Sequence, residues 1–402
     1  MAKQIINYEL FTEQKEKLER IHKRQRQRKI RRRVALVVIL ACVLIAYLVI
    51  ENSRSGYYEY DRKTNTEDNT GVHYQPFAGG LLKYSTNGIE YQKQFGTSTW
   101  NKALSLSKPV LKTSNKYAIL GDQEGNVLYL FDQTGQIRKV TLQYPILHID
   151  VSDTGIMVVT LQGDDRNFVQ VYDKKGNLVA DMRASIDETG YPVTAAISPN
   201  GGQLAVSYLA IDGMKTKSTV TFYDLAKQLQ TDDVTLKGGF EYHNTMIPKL
   251  SFLSNDKVLA VGHDKIHYYK IDNQPEEVKT IKVPSEIQSI FENNKYLGLV
   301  MDNSANAKEG RYRICLYNHN GRKSLDTKID MQFDDVSIWD NQIIAVKNNI
   351  VTILKSNGRL IYQGELEGNK IEAVLPTRGF RKYQVIFVDK TVRMKLRFWD
   401  KN

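Results

Sequence analysis

The chain has 402 residues, with 56 Lys+Arg, 45 Asp+Glu and a formal net charge of +11. That excess is local: residues 1–33 hold 12 basic and four acidic residues, leaving 44 against 41 elsewhere, a net of +3 with no basic stripe for nucleic acid. Two cysteines, Cys42 inside an apolar run and Cys315 alone in the remainder, exclude a disulfide-stapled scaffold, so stability has to come from a large hydrophobic core.

The first element is a basic tail, residues 1–33. From Tyr8 to Arg33 it lacks Gly and Pro and places acids early and cations late, which suits the helix dipole and predicts a helix. Its apolar positions, Leu10, Phe11, Leu18 and Ile21, are too few for a coiled-coil seam. The 17 uncharged residues Val34 to Ile50 follow. As a helix they rise about 26 Å, close to the hydrocarbon thickness of a bilayer. Lys23 to Arg33 form a cationic flank, whereas the 20 residues after Ile50 hold three basic and five acidic residues. The positive-inside rule keeps the N-terminus cytoplasmic and exports everything after Glu51. LVIENSRSG has no small-x-small cleavage site, so the segment reads as an uncleaved signal anchor of a single-pass cell-membrane protein with an extracytoplasmic C-terminal domain. The basic tail also suits anionic inner-leaflet lipid. Without Asn-x-Ser/Thr sequons after residue 50, and rich in Lys, Ile, Asn and Tyr, the composition leans toward a bacterial surface.

Residues 51–80 are polar and end in Gly79-Gly80, and they read as an extracytoplasmic stalk in which GYYEY supplies interfacial or packing tyrosines.

From residue 81 a repeat takes over. Short strands end in an aromatic or large apolar residue and then a polar turn, as in LLKYSTNG, LYLFDQTG, VQVYDKKG and ICLYNHNG. The marked positions are Tyr84, Phe131, Tyr172, Tyr223, Tyr269, Tyr317, Leu354 and Trp399, separated by 47, 41, 51, 46, 48, 37 and 45 residues. This is the period of a four-stranded propeller blade, and Asp, Asn, Lys and Gly after each strand are hairpin residues. Every such strand but the first follows an apolar one (KYAILG, GIMVVTL, GQLAVSY, DKVLAVG, NKYLGLVM, NQIIAVK, YQVIFV). A third set (HIDVSDTG, AAISPNGG, KLSFLSND, VSIWDNQ) precedes those, and more polar strands such as RKVTLQ and VKTIKVP complete the unit. Seven units fit between residues 109 and 402, which predicts an all-β fold: one seven-bladed β-propeller over 81–402 behind a single transmembrane helix. The last unit is one strand short, and the spare hairpin Leu81 to Phe95 is expected to close the ring by lending GIEYQKQ. On that reading a chain begun at residue 78 keeps the whole ring. The alternative is eight blades, with the first marked strand in a degenerate extra one.

Ser198-Pro199-Asn200-Gly201 followed by LAV resembles the SPDG-type turn of WD-repeat-like and YVTN-like propellers, with Asn200 where Asp is common. LYLFDQTGQI and VQVYDKKGNLV resemble the strand-turn-strand of quinoprotein-like propellers. The overall plan is similar to an uncharacterised family of membrane-anchored propellers of Gram-positive bacteria. These resemblances imply fold and leave activity open. Trp100, Trp339 and Trp399 do not form the repeated docking frame of quinone-dependent dehydrogenases and read as blade-packing residues.

Chemistry-bearing patterns are sparse. His263 and His267 form the one close histidine pair, read as surface polar residues because no Cys or third ligand accompanies them. Asp164, Asp165, Asp224, Asp334 and Asp335 read as turn residues. No GxSxG, Walker, HExxH or EF-hand pattern is present. No catalytic, cofactor-binding or metal residue is therefore assigned, and no cofactor is expected. The expected function is a non-catalytic platform that docks an unknown protein or envelope partner, without nucleic acid. Contacts are expected on the two longest insertions, Ala210 to Lys217 and Asn303 to Arg311. The alternative, a lactonase-like hydrolase or quinone-dependent dehydrogenase, requires acids or histidines converging on the ring axis from several blades.

Overall fold

The computed structural model describes residues 8–65, 70–94, 97–185, 189–213, 215–225 and 234–398. They form two compact units, 1–55 and 56–402. The first holds one helix, Tyr8–Asn52, continuous for 45 residues. Within it Lys29–Ile50, 22 residues, is long and apolar enough to cross a membrane, a test that a signal sequence also passes.

The second unit is eight four-stranded antiparallel sheets. In chain order the blades span 73–103 (blade 1), 109–141 (blade 2), 146–184 (blade 3), 191–243 (blade 4), 249–282 (blade 5), 287–329 (blade 6), 335–365 (blade 7) and 371–397 (blade 8). Each of the first seven is laid down from the innermost strand outward. Blade 8 takes three strands from the C-terminus, and its outermost, Tyr57–Asn65, pairs with Lys390–Arg397.

The burial of the strands explains the repeat. Second and third strands are covered on both faces by neighbouring blades, so Met157–Gln162 and Asn167–Tyr172 are almost wholly buried. The outermost strands alternate toward water, as in Pro275–Lys282. Innermost strands border the axis with one edge unpaired, and they carry Pro76, Pro109, Pro192 and Pro376, whose missing N–H is harmless at an edge. Between blades lie apolar clusters, from 15 buried residues between blades 7 and 8 to three, Leu81, Leu375 and Ile386, between blades 8 and 1.

Three expectations are corrected. The ring has eight blades, not seven, which was the alternative reading. The seven units from residue 109 are blades 2 to 8, and blade 1 was misphased because LLKYS (81–85) is its second strand. The third strand is Gly88–Gln94, where Gln92, paired with Leu81, takes the position of the repeat's aromatic and the buried Tyr91 faces blade 2 instead. Secondly, no stalk fills 51–80: Tyr57–Asn65 and His73–Phe77 are sheet strands. Tyr58 and Tyr60 alternate with Glu59 and Asp61, and the two tyrosines pack on the cluster between blades 7 and 8. The chain then turns from His73–Phe77 into the next strand through Ala78 and Gly79, both at positive φ (48° and 78°), as a two-residue hairpin requires. Thirdly, Gly88–Gln94 stays in blade 1, and closure falls to Tyr57–Asn65, so a chain begun at residue 78 lacks the closing strand and the innermost strand of blade 1.

The two long insertions also differ from simple loops. Ala210 to Lys217 caps a hairpin of two ten-residue strands, Gln203–Asp212 and Lys215–Asp224. Asn303 to Arg311 contains a 3-10 helix, Ser304–Glu309.

Candidate functional site in the axial channel

The innermost strands of a propeller line its axis, so polar residues on them meet whatever the blades present from the other sides. Matching hydrogen bonds close the turns that follow these strands: Ser114 N to Tyr117 O, Ser152 N to Ile156 O, Ser198 N to Gln203 O and Leu253 N to Lys257 O. Counting back two residues from each donor places Lys112, Asp150, Ala196 and Ser251 at one level. Counting back four places Val110, His148, Thr194 and Lys249 at the next.

These two levels form a mixed charged cluster. Lys249 Nζ lies 2.6 Å from Glu292 Oε1, and Ser251 Oγ donates to Glu292 Oε2 at 3.0 Å, joining blade 5 to blade 6. Burial alone raises the Glu292 carboxyl, but Lys249, Lys112 and the Ser251 hydroxyl together bring it below its ordinary value. In blade 3 Asp150 Oδ2 accepts the backbone N–H of Ile197 at 2.9 Å, and burial pushes its carboxyl up despite Lys112. The His148 imidazole has Nε2 3.3 Å from Thr194 Oγ1 and a buried Nδ1 with no partner. Burial, reinforced by Lys112 and Lys249, pushes its pKa down to about 3, so the ring is neutral at physiological pH. Burial and the Lys249 charge lower the Lys112 ammonium, opposed by Asp150 and Glu292.

Farther round the axis the groups are mainly acidic. Asp335 opens the innermost strand of blade 7, where burial raises its carboxyl and His73 of blade 1 opposes the rise. In blade 8 Glu372 is 3.2 Å from Lys370. Tyr74 of blade 1 is raised first by burial and then by Glu372 and Glu90.

Acids and a histidine therefore do converge on the axis, from blades whose sequences do not repeat them. Sequence reasoning missed Lys112, His148, Asp150, Lys249 and Glu292 because it looked for one acid recurring at equivalent positions. The available signal for Lys112, His148, Asp150 and Lys249 was a polar ionisable residue two or four places before an inner turn, whereas Glu292, one place before its turn, had no such signal. Among the described residues no three of His, Cys, Asp and Glu come together as metal ligands.

The residues singled out from sequence lie elsewhere. His263 is in a turn, 61% exposed, with Nδ1 2.9 Å from Thr245 Oγ1. His267, expected at the surface, is buried between blades 4 and 5, its Nδ1 2.9 Å from Glu277 Oε1, and Tyr242 Oη donates to Glu277 Oε2 at 2.8 Å. The strand repeat did not show that its side chain faces the preceding blade. Asp164 and Asp165 are exposed turn residues, whereas Asp335 belongs to the channel wall. Trp100 stacks on Phe131 between blades 1 and 2 at 5.4 Å and 6°. Trp339 packs on the clusters either side of blade 8, and Trp399 lies outside the described residues. In the Ser198 turn, Asn200 Oδ1 accepts from Ser198 Oγ at 2.8 Å and Gly202 N at 3.0 Å, the same acceptor work an aspartate does.

An all-β ring of eight four-stranded blades, preceded by a single apolar helix, defines a β-propeller protein. Residues 51–396 match the family described as "Family of unknown function (DUF5711)", and the chain belongs to that family. No curated protein matches it. Among solved structures it is similar to Kuenenia stuttgartiensis hydrazine synthase, at 12% identity and a TM-score of 0.48, over 75% of this chain and 99% of that one. It is also similar to the Pan2 WD40 domain of Neurospora crassa (11%, TM-score 0.42, 73% and 91%). A third is Hsv2 of Kluyvelomyces marxianus (11%, TM-score 0.46, 75% and 100%). At these scores the likenesses carry nothing about chemistry.

Proposed function

We propose that this is a single-pass membrane protein whose helix crosses the bilayer with the N-terminus cytoplasmic, and whose exported ring is a non-catalytic platform for a protein or cell-envelope partner. Supporting the anchor are the length and apolarity of Lys29–Ile50 and the cations before it. One observation carries the docking reading: the longest hairpin of the ring outruns its own blade. The innermost strand of blade 4 pairs only as far as Leu209 and the outermost only as far as Lys217. Asn244 N–H still donates to Thr216 O at 2.7 Å, and among the described residues the pair Asp212↔Lys215 stands beyond both neighbours, with Ile211 70% exposed. A hairpin that projects past its own blade with an exposed aliphatic residue near its end is suited to side-chain docking.

The axial cluster fits a binding role better than the hydrolase or dehydrogenase alternative. Glu292 is taken up by Lys249 and Ser251, and Asp150 by a backbone N–H. Although Thr194 and His148 are within reach, no carboxylate orients the imidazole through Nδ1, so the relay that activates a hydroxyl nucleophile is incomplete.

The test is a photo-crosslinking amino acid at Ile211 in intact cells, with the exposed outer-strand position Val278 as control. A discrete adduct from Ile211 alone, found only with the C-terminal unit outside, is expected. External protease on protoplasts should leave only a short N-terminal fragment. A full-length chain surviving that treatment contradicts the topology, and equal adducts from both positions contradict docking through the hairpin.

A further inference from the structure

The two ends of the ring carry opposite charge where blades 6 to 8 reach them. At one end the turns after the innermost and third strands of these blades (293–295, 319–322, 340–341, 356–359 and 377–381) hold Lys295, Arg322, Arg359, Arg378 and Arg381 against one acid, Asp340. Lys295 takes up that acid at 2.7 Å. Arg322, Arg359 and Arg378 are exposed and, among the described residues, make no ion pair. At the other end the turns of the same blades (303–311, 330–334, 348–349, 366–370 and 388–389) hold Glu309, Asp330, Asp334, Glu367 and Asp389 against Lys308, Arg311 and Lys370. The basic end is also where the chain enters the ring unit. Tyr57 pairs with Arg397, and Leu396 N–H donates to Arg381 O at 3.0 Å, so the entering strand and the turn 377–381 flank the same strand end. Among the described residues of the ring unit the exposed aromatics are Tyr57 (46%) and Phe380 (49%), and both stand here. The Arg381 guanidinium lies over Phe398 at 4.5 Å and over Phe380 at 5.3 Å, which fixes the Phe380 ring at the rim. The helix Tyr8–Asn52 ends five residues before Tyr57, a stretch of chain that reaches at most about 18 Å.

We propose that this rim, Phe380 and Tyr57 flanked by the arginines of blades 6 to 8, rests on the anionic headgroups of the bilayer that the chain's own helix crosses. The inference rests on the anchor reading above and does not depend on docking through the hairpin of blade 4. So short a tether presents the rim to the headgroups at high local concentration, which makes weak individual contacts effective. Aromatic rings settle at headgroup level, and a free guanidinium bonds a phosphate through two N–H groups. The basic end of the arc is drawn to anionic lipid while its acidic end is repelled, and this fixes which end faces the membrane. The blade 4 hairpin joins a second strand to a third, so it stands at the end turned away from the lipid.

The test is fluorescence of the full chain in lipid nanodiscs, with bimane on one cysteine at a time and a nitroxide-bearing lipid as short-range quencher. Labels are placed at Cys42, at Phe380→Cys and at Ile211→Cys, the last two with Cys42→Ser, and Cys315 is buried. In phosphatidylglycerol discs Cys42 and Phe380→Cys are expected to lose most of their emission and Ile211→Cys to keep it. Quenching at Phe380→Cys is expected to weaken in phosphatidylcholine discs. It should weaken equally in phosphatidylglycerol discs once Arg322, Arg359 and Arg378 are all replaced by Gln, with Tm unchanged because these side chains are exposed. A Phe380→Cys label as bright as Ile211→Cys while Cys42 is quenched overturns the inference and leaves the anchor standing. A bright Cys42 removes the anchor and the inference with it. Equal quenching of Phe380→Cys in the two lipids, or undiminished quenching in the folded triple variant, shows that the rim does not recognise anionic headgroups and likewise overturns the inference.

Discussion

The contact of blades 7 and 8 buries 15 apolar residues, while that of blades 8 and 1 buries three, although both are neighbours in one ring. The difference follows from how the chain closes. Blades 7 and 8 are consecutive in sequence, and the outermost strand of blade 8 adds Tyr58 and Tyr60 to their cluster. Tyr58 meets Tyr362 edge-on at 6.2 Å, and its hydroxyl accepts the N–H of Glu367 at 2.9 Å. Blades 8 and 1 are joined across the ring's two ends, and the thin seam is bypassed by the strand Tyr57–Asn65, which reaches past it to pair with Lys390–Arg397. Closure is therefore held by a backbone ladder on the far side of blade 8 more than by side chains in the seam. An ion pair between Arg397 and Glu59 adds to that ladder.

The largest effect expected from breaking this arrangement comes from deleting residues 57–65 in the full chain. The deletion unpairs Lys390–Arg397 and removes both tyrosines, so folded monomer should be lost to aggregates in size-exclusion chromatography. Next, Phe387→Ala in the rich interface should destabilise by about 3–5 kcal/mol in denaturant unfolding, by loss of buried aromatic surface and creation of a cavity. In the seam Leu81→Ala should cost nearer 2–3 kcal/mol, since fewer neighbours surround the cavity. Equal costs at the two sites would remove the contrast. Smallest is a paired charge outside both contacts, Asp326 in blade 6. The Arg313 guanidinium, bonded to both carboxylate oxygens at 2.7 Å, and then Lys323 hold its carboxyl far below the usual range. A carboxyl depressed in the folded state stabilises fully above the unfolded value near 4, and that contribution fades as pH falls below it. Asp326→Asn should therefore lower stability by about 1 kcal/mol at pH 7, with the gap to the unmodified chain narrowing toward pH 2.

Much of the ring was legible in the sequence. The third strands of blades 2 to 7 stand where the aromatic repeat placed them, because a strand covered on both faces has to be apolar and its hairpin has to be polar. Blade 1 was harder to read. Its strands carry Pro76 and Tyr91 in place of the Val and Ile runs of the others, and its innermost strand lies in a segment that composition marks as linker. The closing strand YYEYDRKTN does alternate, but an outermost strand buries one face only, and nine half-polar residues that follow a long apolar helix in sequence resemble a stalk. The axial cluster was not legible, because Lys112, His148, Asp150, Lys249 and Glu292 come from four blades and share no motif. The turn hydrogen bonds set the levels of the first four, and Glu292 joins them through Lys249 and Ser251.

The closure claim is tested most directly by a disulfide between Glu59→Cys and Lys395→Cys, which are paired across the closing ladder. Cys42 is replaced beforehand, and Cys315 is buried. Oxidation of the full chain should give an intramolecular bond, seen as a faster-migrating monomer on a non-reducing gel, with a Tm higher than that of the reduced form. Failure to form the bond under oxidising conditions, or its formation only between two chains, would contradict a ring closed by its own N-terminal strand.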